Sequence, residues 1–320
     1  MKTALRIFIL CAATLLWHSA GYSDTPYALG WIPSKHGVKA DAQLATHPAY
    51  KAAPLPQTAS VAEGFYETTQ KRRGACVAFS ANEAFDAVHQ KMFGSHAKLS
   101  FLDTYQQCLV MDGNFPNDSG TWGGTALKVL RNGVLSEKTW PYDNALEKLP
   151  PNTAAIKAER KLHVSVKSYE VPNNDNGYGV KQCIANLKVP CIMGSYWYNN
   201  TFDAKLITTP TKDATGKKIT PRRYVLQYPK GKPVGGHEIV IIEYDDNMVF
   251  PDGSVGGIRI HNHWSEPGAP WGDSIGSAWI AYKWAFNPHI VEDKHCIEIV
   301  KKGPTASLRE RAIDIATVLR

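Results

Sequence analysis

Long apolar runs are scarce in this sequence of 320 residues. The run from Ile7 to Trp17 is too short to span a bilayer, and no other segment resembles a transmembrane helix, so stable membrane association is not expected. Internal repeats and low-complexity tracts are also lacking. The net charge of +7 is scattered along the chain without a nucleic-acid-binding motif, which argues against a nucleic-acid partner.

The residues that are present indicate a globular, exported protein. A hydrophobic content of 43% with 20% charged residues suffices for a sizeable core, in one large domain or in two lobes that share an interface. Residues 1–23 combine basic Lys2 and Arg6, the apolar run and a small-residue end, which are the three parts of a signal peptide. We therefore expect a secreted or periplasmic protein.

Export changes how the cysteines are interpreted. Beyond the predicted signal peptide the chain keeps an odd number of them, namely Cys76, Cys108, Cys183, Cys191 and Cys296. The expected compartment permits disulfides, so one thiol should be left over. The other four could then form two bridges, in any of three pairings.

The hydrophobic pattern changes from helical to strand-like along the chain. Residues 24–60 lack periodicity and predict an extended arm. Helical periodicity follows over about 70–143, including a helix that begins at or beside Cys76. Runs typical of strands dominate about 160–304, with a Lys-, Thr- and Pro-rich excursion before His237. This order predicts an α+β fold, with a helical lobe, a β-rich lobe and a cleft between them.

A last helix is predicted at the C-terminus. Ser307 and Glu310 have capping-box spacing, and the apolar residues that follow fall on one side of a helix over 305–320. Packing of this helix on the domain is the simpler interpretation. A partner or membrane surface is the alternative.

Cys76 stands where a thiol can become a nucleophile. A helix N-terminus and a nearby imidazolium both favour the thiolate, and Cys76 meets the first condition by its position. His237 precedes one strand and Asn262 ends another, so they offer a base and an amide that orients it. Trp264 would cover this pair from water. The side-chain amide of Gln70, together with the Cys76 N–H, would donate hydrogen bonds to an oxyanion.

These segments, in this order, resemble those of the papain family of cysteine peptidases. "QKRRGACVAFSANEAF" is similar to the family's Gln-x5-Cys segment and Ala-Phe-Ser helix, "GTWGG" to its glycine loop, and "WPYD" to its Tyr-Pro-Tyr. "GHEIVIIEYDD" and "HNHWSEPGAPWGDSIGSAWI" resemble the segments that carry the catalytic histidine and asparagine, while "KHCIEI" is similar to the family's His-Cys-Gly-Ile end. The resemblance covers roughly residues 60 to 302.

The resemblance implies a papain-like two-lobe fold over residues 61–304, with a barrel-like C-terminal lobe. It implies hydrolysis of peptide bonds in a protein or peptide substrate, without a cofactor or a metal. Its catalytic residues here would be the nucleophile Cys76, the base His237, the orienting Asn262 and the oxyanion donor Gln70. The substrate-binding residues that it implies are Gly123, Gly124, Gly236 and Trp264.

The sequence also departs from the family pattern. Arg73 and Val77 stand where the family usually has a cysteine and a tryptophan around the nucleophile, and Thr121 stands where the glycine loop has a cysteine. The usual disulfide of the first lobe is therefore missing. The spacing from Cys76 to His237 is also longer than usual, which the excursion before His237 helps to explain.

Other functions remain to be weighed against peptide hydrolysis. An acyltransferase or transglutaminase would use the same triad with an amine in place of water. A catalytically silent binding protein of papain-like fold is the non-enzymatic alternative, although all four catalytic residue types are present. His261 and His263 flank Asn262 and suggest a metal site, but on a strand both point away from Asn262 and no further ligand is evident, which favours packing.

The arm has two alternative roles. In papain-like zymogens a propeptide runs through the cleft, whereas this arm is much shorter than the long helical propeptides of the best-known members. Trp31, Ile32 and Pro33 either join the two lobes or lie across the active site. One short apolar cluster is more often packing than inhibition, so the sequence slightly favours the first role.

Overall fold

The computed structural model describes residues 25–33, 40–50, 54–161, 165–213 and 215–300. The predicted signal peptide at 1–23 and the predicted helix at 305–320 lie outside these described residues. Within the described ranges, no helix is long and apolar enough to cross a membrane.

The helices of the described chain lie mostly in its first half, as the periodicity predicts. The predicted helix at Cys76 is 18 residues long, and the next one begins after Ser100, whose Oγ accepts a hydrogen bond of 3.0 Å from Asp103 N–H. A helix inside the polar segment after "WPYD" was not expected. The α-helices are α1 (Cys76–Phe93), α2 (Phe101–Met111), α3 (Gly123–Asn132), α4 (Ala154–Lys161), α5 (Tyr178–Gln182) and α6 (Tyr282–Ala285).

The strands follow the predicted order. The "SAWIAYKW" strand ends earlier than expected, at Ala281, where α6 begins. The strands are β1 (Ala42–Gln43), β2 (Thr58–Ser60), β3 (Ser165–Glu170), β4 (Cys191–Tyr198), β5 (Lys205–Thr208), β6 (Thr211–Lys212), β7 (Lys218–Ile219), β8 (Arg222–Val225), β9 (Pro233–Val249), β10 (Val255–His261), β11 (Ser277–Ala281) and β12 (Val291–Val300).

Ten strands of the described chain form one mixed sheet, in the order β1-β3-β12-β4-β9-β10-β11-β8-β5 with β2 added beside β9. This path has two ends, so the β-rich lobe that was expected to be barrel-like is built on an open sheet that does not close into a barrel. The predicted excursion contains β6, β7 and β8, with β6 and β7 as a separate hairpin. The long strand β9 pairs with β4 through its first half and with β10 through its second half.

Helix α1 lies between the two lobes and is buried on both sides. Ala75, Ala78 and Phe79 pack into the helical lobe with α2 and the "WPYD" segment. Val77, Ala81 and other α1 residues pack against the sheet in the main core. The first residue of α1, Cys76, therefore sits at the junction of the lobes. The predicted two-lobe α+β architecture is confirmed.

The expected disulfides are not formed in this structure. All five cysteines that follow the predicted signal peptide are free and buried. Cys183, Cys191 and Cys296 lie together as thiols, with Cys191 directly opposite Cys296 on neighbouring strands. Cys108 is remote from this group, beside Asp112 and Thr121. Burial of each thiol accounts for these cysteines without a bridge.

Candidate active site

The structure brings His237 and Asn262 together from adjacent strands. His237 Nε2–H donates a hydrogen bond of 2.7 Å to Asn262 Oδ1, which also accepts one of 2.8 Å from His263 N–H. Nδ1 of His237 has no hydrogen-bond partner among the described residues, so this nitrogen is left to accept a proton. The bond to Asn262 thus fixes both the ring orientation and the nitrogen that is available for chemistry.

Cys76 lies against the strand that carries His237. The backbone N–H of Glu238, the residue after His237, interacts with the Cys76 thiol. Both Cys76 and His237 are fully buried. Burial raises the pKa of the Cys76 thiol to about 12, although the N–H groups of Glu238, Gly30 and Val77 act in the opposite direction. Burial also holds the pKa of His237 well below its usual value. In this arrangement the thiol and the imidazole are both neutral.

Aromatic rings enclose the imidazole of His237. Trp264 stacks on it with a centroid distance of 4.2 Å, as the sequence predicts for a covering residue. Tyr27 of the arm stacks in turn on Trp264 at 4.6 Å, and Trp197 meets His237 edge-on at 5.1 Å. These rings keep water from the imidazole and explain why burial dominates its pKa.

Gln70 is held at the entrance to α1 by both lobes. Its backbone N–H donates a bond of 2.8 Å to His263 O, and its carbonyl accepts one of 2.8 Å from the Tyr142 hydroxyl of the "WPYD" segment. The side-chain Nε2 donates to Ala28 O at 3.1 Å and to Arg73 O at 2.8 Å. The side-chain amide that the sequence assigns to an oxyanion therefore donates to a backbone carbonyl of the arm instead.

The arm crosses the cleft directly over Cys76. Gly30 N–H and Trp31 N–H each donate a bond of 3.0 Å to Gly236 O in the β-rich lobe. Gly30 O accepts a bond of 2.9 Å from Thr121 N–H in the helical lobe, and Ile32 N–H returns one of 3.0 Å to Thr121 O. The arm thus bonds to both lobes, as expected for a joining role. It also covers the nucleophile, which joining alone does not require.

Of the predicted substrate-binding glycines, Gly236 is the one that contacts the arm in this cleft. Gly236 accepts the arm's hydrogen bonds, and a Cβ on Gly236 would lie 2.2 Å from Trp31 O. Gly123 and Gly124 open α3, and a Cβ on Gly123 would lie 2.7 Å from Glu238 Oε2. On this loop the arm bonds to Thr121, a short distance before the two glycines.

Asp118 ties the glycine loop to the start of α1 where the family's disulfide is missing. Its Oδ1 accepts a bond of 2.9 Å from Gly74 N–H and one of 2.5 Å from the Tyr105 hydroxyl. Arg73, which replaces the usual cysteine, instead donates to the carbonyls of Tyr142 and Asn144. Sequence reasoning missed Asp118. Its position in a polar turn beside the recognised glycine loop was the available signal.

A buried charged cluster lies below the catalytic pair. Glu83 Oε2 lies 3.0 Å from His261 Nδ1 and 3.1 Å from His263 Nδ1, while Oε1 accepts a bond of 2.6 Å from Thr68. The structure therefore adds to the two histidines a third residue, Glu83, that sequence reasoning did not find. Among the described residues these three are the group spaced to hold a cation.

Hydrogen bonding accounts for this cluster without an ion. His261 Nε2–H donates to Tyr66 O at 3.0 Å, so its Nδ1 must also carry a proton to donate to Glu83. His263 Nε2 lies 3.1 Å from Ser80 Oγ. Burial alone would lower the His261 pKa, but the Glu83 carboxylate outweighs it and raises that pKa. The cluster is an ion pair, consistent with the packing role expected for the histidines.

Comparisons with known proteins identify the fold. No protein-family model and no curated protein matches the chain. Among solved structures, xylellain, a cysteine protease from Xylella fastidiosa, is 21% identical with a TM-score of 0.62, over 86% of this chain and 97% of that protein. Procathepsin B S9 from Trypanosoma congolense is 16% identical with a TM-score of 0.58, over 86% of this chain and 87% of that protein.

A third likeness is to a digestive procathepsin L 3 from the larval midgut of Tenebrio molitor. It is 16% identical with a TM-score of 0.55, over 82% of this chain and 76% of that protein. At these identities the likeness establishes the fold, which is that of papain-like cysteine proteases.

Proposed function

We propose that this protein is an exported cysteine peptidase whose N-terminal arm keeps it latent. The proposal rests on Gln70, Cys76, His237 and Asn262, which come from three separate segments of the sequence and lie along one cleft of a papain-like fold. The bond of 2.7 Å between His237 and Asn262 supports the assignment most directly, because it leaves Nδ1 of a covered imidazole available for proton transfer on the strand against which Cys76 lies.

The proposed reaction has two stages. His237 Nδ1 takes the proton of the Cys76 thiol, and the thiolate forms a C–S bond to the carbonyl carbon of the substrate while the carbonyl electron pair moves to oxygen. Gln70 Nε2–H and the Cys76 N–H donate to this oxyanion. The C–N bond then breaks, and the amine leaves with the proton from His237. In the second stage water, deprotonated by His237, releases the acid from the thioester.

Latency follows from the position of the arm. Ala28 O accepts a hydrogen bond from the Gln70 amide, and Gly30 lies over Cys76. The raised pKa of Cys76 and the lowered pKa of His237 both favour the uncharged forms. Departure of the arm would admit water, relieve the burial and let the thiolate–imidazolium pair form. Two of the structural neighbours are proforms by their titles, which supports a covered cleft as a resting state.

The test is covalent labelling with an epoxide inhibitor of thiol proteases, read by peptide mass spectrometry, together with cleavage of an unfolded protein. Both are measured on the full chain with Gly30→Ala, in which an added Cβ would lie 1.9 Å from Gly74 O and should lift the arm from Cys76. We expect label on Cys76 and activity lost in Cys76→Ala, while Cys108→Ala, another buried free thiol, keeps both. Cleavage by Cys76→Ala at the wild-type rate would contradict the proposal. Labelling without cleavage would indicate a papain-like binding protein. Amide formation with an added amine in place of hydrolysis would indicate an acyltransferase.

A further inference from the structure

His263, which follows Asn262, contacts several parts of the candidate site through its backbone. Its N–H donates a bond of 2.8 Å to Asn262 Oδ1, the atom that also accepts from His237 Nε2–H. Its carbonyl accepts a bond of 2.8 Å from Gln70 N–H. One residue therefore holds both the amide that orients the proposed base and the segment that carries the proposed oxyanion donor.

The imidazole of His263 joins the helix of the proposed nucleophile to the strand of the proposed base. Its Nε2 lies 3.1 Å from Ser80 Oγ on α1, one helical turn after Cys76. The same nitrogen lies 3.2 Å from Glu238 O on β9, directly after His237. A carbonyl oxygen only accepts, so Nε2 carries a proton, which the two oxygens share. The ring thus connects the first turns of α1 to β9.

His263 differs from its neighbour His261 in the elements that it connects. Both rings are fully buried, and their Nδ1 atoms lie 3.1 and 3.0 Å from the same carboxyl oxygen of Glu83. The other ring nitrogen of His261 donates to Tyr66 O, in the segment before α1. The two histidines therefore share their burial and their ionic partner, whereas His263 of the two contacts the strand that carries His237.

Packing alone does not account for this bridge. His263 and Ser80 are fully buried and Glu83 nearly so, and buried polar groups of this kind are unfavourable unless hydrogen bonds satisfy them. An apolar side chain of similar size would fill the same space without that requirement. What the polar bridge adds is a fixed geometry between the elements that it joins, because a hydrogen bond confines the distance and the direction between its atoms.

We propose that His263 is a positioning residue, whose imidazole fixes the helix of Cys76 against the strand of His237. Its backbone N–H keeps Asn262 in the orientation that the imidazole of His237 needs. The inference rests on the proposed peptidase function and adds to it a residue that touches neither the substrate nor the reacting atoms. A small displacement of a catalytic group lowers the rate strongly, so loosening the bridge should lower kcat and leave KM nearly unchanged.

The first experiment compares His263→Asn with His263→Gln by steady-state kinetics on a peptide amide, in the full chain with Gly30→Ala to lift the arm. The asparagine amide reaches only the place of Nδ1, towards Glu83. The longer glutamine amide reaches the place of Nε2 and can donate to Glu238 O. We expect His263→Asn to lower kcat at least about tenfold with KM within about twofold, and His263→Gln to restore most of kcat.

His261→Asn is the matched control, because it makes the same substitution in an equally buried imidazole on the same carboxylate. It should lower the melting temperature as His263→Asn does, yet keep kcat within about threefold. A purely structural His263 would change the melting temperature in both variants and kcat in neither. Unchanged kcat in His263→Asn, or an equal loss in His261→Asn, would overturn the proposal.

A second experiment needs neither catalysis nor removal of the arm. In the full chain with isotope-labelled histidine, the His237 Nε2–H that donates to Asn262 is observed by NMR and assigned by its absence from His237→Gln. We expect His263→Asn to speed the exchange of this proton with water at least about tenfold, and His261→Asn to leave the rate within about threefold. A chain that cleaves nothing but shows this difference would refute the peptidase function and support the positioning role.

Ser80→Ala tests the same bridge from α1 with a smaller change, because it removes only the hydroxyl group. It should also speed exchange of the His237 proton, whereas Ser168→Ala, which removes an equally buried hydroxyl from β3, should not. Unchanged exchange in Ser80→Ala and in His263→Asn would overturn the proposal, whether or not the chain cleaves peptides. If His263→Asn does not fold, Ser80→Ala alone decides.

Discussion

At the scale of single residues, burial governs the chemistry of the candidate site. Cys76 and His237 are both held uncharged, whereas Glu83 is held charged by two imidazoles. The difference follows from the hydrogen-bond and ion-pair partners of each side chain. The described residues offer His237 Nδ1 no hydrogen-bond partner, while both oxygens of the Glu83 carboxylate contact polar groups.

Gln70→Ala should lower kcat about a hundredfold and leave KM within about twofold, because the oxyanion that Gln70 is proposed to stabilise exists only along the reaction path. The measurement is steady-state kinetics on a peptide amide with a variant of confirmed fold. An effect confined to KM would instead assign Gln70 to ground-state binding.

Glu83→Gln should destabilise the fold by about 3–5 kcal/mol, since it leaves buried imidazole groups without their carboxylate. Burial would raise the Glu83 pKa, but His263 and His261 outweigh it and hold that pKa below its usual range. The contribution of Glu83 is therefore present above its unfolded pKa of about 4.3 and lost as pH falls. The His261 pKa is raised, so its contribution is complete below its unfolded pKa of about 6.5 and is lost as pH rises.

Urea unfolding of the wild type and of Glu83→Gln across about pH 4 to 8 would measure this window. The difference in unfolding free energy should be largest between the two unfolded pKa values, at about pH 5 to 6. Glu243→Gln, which removes a half-buried partner of Arg259, serves as the control. A difference that does not change with pH would contradict the ion-pair assignment.

At the scale of elements, the arm and α1 meet so closely that one methyl group should separate them. A Cβ on Gly30 would lie 1.9 Å from Gly74 O, in the turn that precedes Cys76. Real Cβ atoms do not approach a backbone oxygen so closely, so Gly30→Ala should lift the arm while leaving both lobes intact. The alanine changes neither the charge nor the hydrogen-bonding groups of the chain.

We expect Gly30→Ala to increase the rate of Cys76 alkylation at neutral pH at least about tenfold, because it relieves the burial that raises the thiol pKa. The control is Gly268→Ala, where an added methyl group has no atom within 4 Å and only the backbone, at a φ of 75°, is strained. The rates can be measured by mass spectrometry of the Cys76 peptide. Equal rates in the wild type and Gly30→Ala would show that the arm does not protect the thiol.

At the scale of the whole molecule, the arm connects the lobes and covers the site with the same residues. Trp31→Ala should therefore lower the melting temperature and raise peptidase activity together, since it removes a buried aromatic side chain worth up to about 3–5 kcal/mol. Calorimetry and a peptide assay on the same preparation would test this. A lower melting temperature with unchanged activity would support the joining role that the sequence slightly favours.

The sequence by itself determined the two-lobe α+β organisation, because helical and strand periodicities depend on local order and are segregated along the chain. It also predicted the helix start at Cys76 and the residue types that converge with it. It did not predict the free cysteines or decide whether the sheet closes. Sheet closure and thiol pairing depend on which distant strands meet, and hydrophobic period carries no such information.

Only the tertiary structure decided what surrounds the candidate site. Glu238 and Asp293 face each other across Gly194 because β9, β4 and β12 pair in one register, and that register is set by contacts between segments far apart in sequence. The same holds for Glu83 on α1, which meets His261 and His263 from the end of β10. The course of the arm over Cys76 was likewise undetermined by composition, since an aperiodic segment takes its path from the surfaces that it contacts.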